Sequence, residues 1–250
     1  MIRFTLRIAA ILLGLLACLP LHYLWRLFGQ RSPWPRRFLA WVGRVAGLRI
    51  RVEGVPLRSN ALILANHASW LDIMVIAGTS GAAFVSKAEV KKWPAIGWLA
   101  GLHDTVFIER AARTAVRGQA GALRDALSTG LAVALFPEGT TEGGREVLPF
   151  RASLLSALYP ILPGIRVQPV AIDLGAATEE IAWVGDEGAG ANARRLLSRK
   201  GIIPVSVRFL DPLDPADFPD RKALAARARD EIVSALGAPR LPLAQSAADR

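Results

Sequence analysis

The 250-residue sequence is poor in the side chains that usually hold a small site together: it has one cysteine, three histidines and two methionines. A lone Cys18 excludes an intrachain disulfide framework and any thiolate metal cluster within one chain, and its apolar surroundings make it a small packing residue. His22, His67 and His103 do not stand at zinc-helix spacing, so no metal is expected. A Gly-x-Ser-x-Gly elbow is missing, which removes the serine-hydrolase reading. Acidic residues are the minority charge, 21 against 31 Lys and Arg, for a net +10 at pH 7. That excess favours an anionic partner: nucleic acid, an anionic membrane surface or a phosphorylated substrate. The chain has neither a Cys/His finger nor an RNA-binding aromatic signature, and its bases gather around an apolar segment, so nucleic acid is not expected as a partner.

That apolar segment comes first. Arg3 and Arg7 precede an uncharged run of about 18 residues, Ile8 to Trp25, near the lower limit for a membrane span. Arg26, Arg31, Arg36 and Arg37 then alternate with Trp25, Trp34, Phe38 and Trp41, a mixture suited to a headgroup interface. No small-residue cleavage pattern follows Leu16, which favours a signal anchor over a removed signal peptide. Pro20 interrupts the run and leaves two arrangements open, a straight span or a bent or in-plane pair of helices. Residues 1–45 are read as a membrane anchor, 46–236 as one folded domain and 237–250 as a frayed tail.

With 52% hydrophobic residues the domain has ample material for a core. Leu48–Val52 alternates apolar and basic residues, the pattern of an edge or half-exposed strand. Further short strands are predicted at Ala61–Ala65, Ala83–Ser86, Val106–Ile108, Leu131–Phe136, Val167–Ile172 and Val205–Phe209. Helical spacing occupies Arg113–Leu127 and Arg221–Leu236, and a Gly/Ala-rich stretch, Gly185–Ala193, reads as a surface excursion. Strands alternating with helices predict an α/β fold: a mixed, largely parallel sheet flanked by helices, behind an N-terminal membrane-associating helical segment.

The chemistry gathers where strands end. Asn66-His67-Ala68-Ser69-Trp70-Leu71-Asp72 follows the apolar strand Ala61–Ala65, and Asn66 and Ser69 are candidate caps for a helix starting near Trp70. An imidazole at a strand exit faces the crevice where open α/β sheets bind ligands, and Asp72 lies about one helical turn further on. A carboxylate bonded to one ring nitrogen fixes the tautomer, frees the other nitrogen to take a proton and stabilises the imidazolium. Lys87 follows the strand at Val85, and Glu109-Arg110 follows Val106–Ile108, where a guanidinium can grip a phosphate or carboxylate. Pro137-Glu138-Gly139-Thr140-Thr141 follows the strand ending at Phe136; proline stops the ladder, glycine permits a tight turn, and Glu138 and Thr140 offer polar contacts.

Together these blocks resemble those of the glycerolipid acyltransferases, the family of bacterial lysophosphatidic acid acyltransferases. Asn66-His67 with Asp72 looks like the His-x4-Asp motif, Phe107-Ile108-Glu109-Arg110 the second block, Phe136-Pro137-Glu138-Gly139-Thr140 the third and Val167-Gln168-Pro169-Val170 the fourth. The similarity runs from about Leu48 to about Phe209. The resemblance implies acyl transfer from a thioester of coenzyme A or acyl carrier protein to the free hydroxyl of a lysolipid, with no bound cofactor. His67 would be the base and Asp72 its orienting partner, and backbone donors near the helix start would hold the oxyanion. Lys87, Arg110, Glu138, Gly139, Thr140 and Arg145 would bind substrate. The partners implied are membrane lipids and acyl carrier protein, and the implied location is a bacterial inner (cytoplasmic) membrane with the catalytic domain on the cytoplasmic side.

The acceptor implied first is 1-acylglycerol-3-phosphate, giving phosphatidic acid. Thr141, however, stands where phosphatidic-acid-forming members commonly carry an arginine. The run Thr140–Arg145, with Leu148–Arg151 and Ala182–Asp186, looks more like the lyso-ornithine-lipid acyltransferase branch, so that acceptor is the alternative; Arg145 or Arg151 would restore a positive charge. From a different class, a non-catalytic membrane lipid-binding scaffold has no need of the base that His67 and Asp72 supply.

Overall fold

The computed structural model describes residues 2–108, 115–141, 143–144 and 146–237. Seven strands form one sheet: β1 (Leu48–Glu53), β2 (Ala61–Ala65), β3 (Ala83–Lys87), β4 (Val106–Ile108), β5 (Ala132–Leu135), β6 (Arg166–Asp173) and β7 (Ile203–Phe209). Their spatial order is β1-β7-β6-β2-β5-β3-β4. The five from β6 to β4 run parallel, whereas β7 is antiparallel to β6 and carries β1 parallel to itself. This is the mixed, largely parallel sheet that the pattern predicts. β2 is central and buried along its whole length, as a continuous apolar run requires in a sheet covered on both faces. β1, with its alternating bases, lies at the edge and is half exposed.

Each face of the sheet buries its own cluster. On one side α3 (Leu71–Ser80) contributes Leu71, Val75 and Ile76, and α8 (Ala189–Ser198) contributes Leu196 and Leu197. On the other, α6 (Ala115–Ser128) supplies Leu123 and Leu127, a short 3-10 turn supplies Leu155 and Leu158, and α9 (Arg221–Gly237) supplies Leu224, Ala225 and Ala228. Full burial of a leucine contributes about 1.5–3 kcal/mol before entropy is counted, so these rows hold the layers in place. Short helices α4 (Ala88–Lys91) and α5 (Ile96–Leu102) connect β3 to β4, and α7 (Thr178–Ile181) lies between β6 and α8. The residues beyond Gly237 that were read as a frayed tail lie outside the described residues.

The N-terminal segment comprises two helices, α1 (Ile2–Leu27) and α2 (Trp34–Ala46), and the whole uncharged run Ile8–Trp25 lies within α1. Pro20 lies inside α1 without ending it. Phe4, Ile8 and Ile11, at helical spacing, pack against the domain core, while Leu6, Leu13, Leu16 and Leu24 on the other side of α1 are exposed. Arg7 donates to the carbonyls of Leu196 and Leu197, where the dipole of α8 favours a cation. Trp41 of α2 donates its indole N–H to the Ala10 carbonyl at 3.0 Å. α2 in turn packs on α3, where Gly78 lets the backbone of Ala40 come close: a Cβ at Gly78 would sit 3.3 Å from that of Ala40. The apolar pair is thereby fixed to the domain, and its outer face remains uncovered.

Candidate active site

Because β2, β3, β5 and β6 are parallel, their carboxyl ends share one edge of the sheet, and the loops after them meet there. His67 leaves β2 at this edge. Its Nδ1 lies 3.0 Å from Oδ2 of Asp72, the second residue of α3, which is only 1% exposed. The same oxygen accepts from the backbone N–H of Ala68 at 2.7 Å and of Ser69 at 2.8 Å. Asp72 thus caps its own helix from inside, where a carboxylate gains from both amides and dipole. This corrects the expected caps. Trp70 takes the cap position without a side-chain bond, and the Ser69 hydroxyl reaches the Leu71 N–H only at 3.4 Å. Asn66 faces elsewhere: it donates to the Ile172 carbonyl at 2.9 Å and accepts from the Ile172 N–H at 2.8 Å, tying the end of β2 to β6.

Glu138, in the loop after β5, is 3% exposed, and its two oxygens accept from the N–H of His67 at 2.7 Å and of Leu148 at 2.9 Å. Burial pushes its carboxyl above the ordinary range, against the downward pull of those two amides. Glu138 lines the cavity beside His67, and its two oxygens also hold the backbone of His67 and Leu148, so it positions the loop from within the site. The amides of His67, Ala68 and Ser69, just ahead of the helix start, are engaged by Glu138 or Asp72.

The His67 ring stacks on Phe136 with centroids 4.0 Å apart and planes at 15°. Held by this ring and by Asp72, its Nε2 has no partner among the described residues. A cavity of about 180 Å³ opens beside it, lined by His67, Asn66, Glu138, Glu146, Asp173 and Thr178 among others. With the Nδ1–H directed at Asp72, Nε2 carries the lone pair, and the arrangement can take a proton from a hydroxyl brought into the cavity.

Of the other expected substrate contacts, Gly139 has φ +76, and a Cβ there would lie 3.1 Å from the Arg151 guanidinium, so the turn needs glycine and brings a cation against it. Thr140 is exposed on the same loop. Lys87 is placed only by its backbone, as the last residue of β3 in register with Ile108. Arg110 and Arg145 lie outside the described residues.

Sequence reasoning missed a second support for the His67 loop. The Trp183 N–H donates to the Ala68 carbonyl at 2.9 Å, and the Trp70 indole donates to Oδ1 of Asn192 at 2.9 Å. Asn192 is fully buried and donates to Glu187 at 2.6 Å. Arg195 holds Glu187 through Nε and Nη2, at 2.9 and 2.8 Å, and also donates to the carbonyls of Glu180 and Ala182. Hydrogen bonds from Arg195 and then Asn192 bring the Glu187 carboxyl down to about 2. The stretch read as a surface excursion is in part α8, and its one asparagine is a core residue. The available signal was Asn192 and Arg195 three apart on a helix, with an acid just ahead of them.

A family model described as Acyltransferase matches residues 49–173, half of the sequence. The chain belongs to the acyltransferase family. This acyltransferase is 36% identical over 250 residues to a lyso-ornithine lipid O-acyltransferase of Rhodobacter capsulatus, covering 94% of this chain and 90% of that one. It is 32% identical over 198 residues to a 1-acyl-sn-glycerol-3-phosphate acyltransferase of Neisseria gonorrhoeae, covering 76% of each. Among solved structures, the 1-acyl-sn-glycerophosphate acyltransferase of Thermotoga maritima superposes with a TM-score of 0.57 at 25% identity over 85% of each chain.

Proposed function

We propose that this acyltransferase esterifies the free hydroxyl of lyso-ornithine lipid, using an acyl thioester of acyl carrier protein or coenzyme A. The observation that carries the reaction is the 3.0 Å bond between His67 Nδ1 and a buried Asp72, with His67 lining a cavity. His67 removes the acceptor's hydroxyl proton as that oxygen attacks the thioester carbonyl carbon. The tetrahedral intermediate collapses by breaking the carbon–sulfur bond, and the imidazolium returns the proton to the departing thiolate. Asp72 stabilises the imidazolium while it lasts, and Glu138 fixes the backbone of His67. No covalent enzyme intermediate and no cofactor beyond the acyl donor enters this scheme.

The choice of acceptor reverses the order given by the motif blocks. Thr141 replaces the arginine expected beside a phosphomonoester. Glu146 and Asp173 line the cavity next to His67, and no described lysine or arginine lines it. Two carboxylates suit the ammonium of an ornithine headgroup and repel a phosphate dianion. Arg151, against Gly139, is the partner for that headgroup's carboxylate. The relatives named lyso-ornithine lipid O-acyltransferase support the same choice. The exposed apolar face of α1 keeps the enzyme on the membrane that supplies the acceptor, the bacterial inner membrane on its cytoplasmic side.

The test is turnover by detergent-purified protein given labelled acyl-CoA and acyl-ACP separately, with lyso-ornithine lipid or lysophosphatidic acid. We expect kcat/KM to favour lyso-ornithine lipid by at least about tenfold, the scale of one well-placed charge. Equal or greater turnover of lysophosphatidic acid would contradict the assignment.

A further inference from the structure

The connection between β3 and β4 displays three large apolar side chains: Trp93 is 44% exposed, Ile96 53% and Trp98 45%. They are not on a loose loop. The Ile96 N–H bonds the Pro94 carbonyl at 2.7 Å and the Gly97 N–H bonds that of Trp93 at 2.9 Å. A Cβ on Gly97 would lie 2.2 Å from the Lys91 carbonyl oxygen, so only glycine closes this turn. Ala95 adopts φ +60, a conformation that an L-residue seldom takes. A tight and partly strained turn that holds two tryptophans and an isoleucine outward is a surface built to be covered.

Charge and position identify what covers it. Lys91 and Lys92 are exposed beside the tryptophans, and neither has an acidic partner among the described residues. Lysine next to tryptophan and isoleucine fits the boundary between acyl chains and anionic headgroups. α4 begins directly after Lys87, at the carboxyl edge of the sheet where His67 also emerges. Beyond the far end of α5, Asp104 meets Arg31 of the α1–α2 connection at 3.9 Å. Exposed Trp25 and Leu27 at the end of α1, and Phe28 just after it, shortly precede Arg31 in the chain. Arg31 and Asp104 thus bring the α1–α2 connection to the end of α5.

We propose that the α4–α5 turn is a second bilayer contact, seated among anionic lipids. Together with α1 it holds the catalytic edge against the membrane, so that the acceptor passes from the bilayer to His67 without crossing water. The proposal rests on the membrane assignment made above, which concerns α1.

The test uses the full chain with Cys18→Ala, carrying a nitroxide on Ile96→Cys or, as a control, on Lys222→Cys in α9 on the other face. The vesicles are phosphatidylcholine with or without phosphatidylglycerol. Flotation reports on the membrane assignment, and the label reports on the turn. On vesicles containing phosphatidylglycerol, the label at 96 should gain access to oxygen and lose access to a water-soluble nickel chelate, while the label at 222 stays in water. The double variant Trp93→Ser/Trp98→Ser should partition about tenfold more weakly, yet turn over acceptor in detergent micelles within about twofold of wild type. A label at 96 that remains in water on floated protein would overturn the proposal while leaving α1 as the anchor. So would unchanged partition of the double variant, or a label immobilised by protein concentration without lipid, which would make the occupant a second copy. Absence of any flotation would overturn the membrane assignment as well.

Discussion

His67 and His103 stand at the two ends of one series of rings, and their surroundings differ in every respect that matters for chemistry. The series runs from His67 to Phe136 at 4.0 Å, on to Phe84 at 6.3 Å and to His103 at 5.7 Å. His67 is 17% exposed by its side chain, has a carboxylate on Nδ1 and opens onto a cavity. His103 is buried and its Nδ1 has no hydrogen-bond partner. Burial pulls its pKa below the ordinary 6.5; Arg36 adds to that, while its backbone hydrogen bond and Asp104 oppose it. A buried histidine with no carboxylate bonded to its ring and no cavity in front of it is a packing residue, however near it lies to the reaction. What distinguishes His67 is the locked carboxylate behind it and the open side in front.

That contrast can be pressed at several points. The largest effect is expected from Asp72→Asn, which keeps the shape but removes the charge facing the imidazolium. kcat should fall by roughly 10²–10⁴-fold in steady-state acyl transfer, with the secondary structure unchanged by circular dichroism. Next comes Asn192→Ala, which releases the Trp70 indole and one hydrogen bond of Glu187. As a positioning residue, Asn192 should cost about tenfold in kcat at nearly constant KM, with most of it recovered by Asn192→Gln. An equal loss from His103→Phe would break the comparison of the two histidines.

The variant His103→Phe should instead keep turnover within about twofold and change the response to acid. A histidine whose folded-state pKa is depressed binds its proton more readily in the unfolded chain, so wild type loses stability as pH falls below about 6.5. The variant should lose less over that window in thermal unfolding. The smallest effect belongs to Glu187→Gln. The stability given by a depressed carboxylate is present above its ordinary 4.5 and disappears as pH falls toward about 2, so the variant should show a flatter melting profile in that interval.

How much of this was legible in the sequence depends on how far apart the partners lie along the chain. His67 and Asp72 are five residues apart, on one turn between a strand and its helix, and their pairing is local. The strands, too, show in short apolar runs, and Gly139 in its turn. The supports of His67 are distant: Glu138 reaches its N–H across 71 residues, and Asn192 meets Trp70 across 122. Nothing local marks such pairs, because the sheet order that joins them follows from the packing of the whole domain. From sequence Glu138 is only a polar residue after a strand, with no sign of its hold on His67, and Asn192 is one residue inside a Gly/Ala-rich stretch. The caps failed differently: Asp72 took the amides of Ala68 and Ser69, Asn66 turned to Ile172, and the Ser69 hydroxyl meets only the Leu71 N–H, at 3.4 Å.

The most direct test of the account is turnover of His67→Ala beside wild type, with labelled acyl donor and lyso-ornithine lipid, and with thermal unfolding measured on the same samples. Loss of at least about a hundredfold in kcat with Tm kept within a few degrees is the predicted result. Substantial turnover by the folded variant would contradict the assignment of His67 as the base.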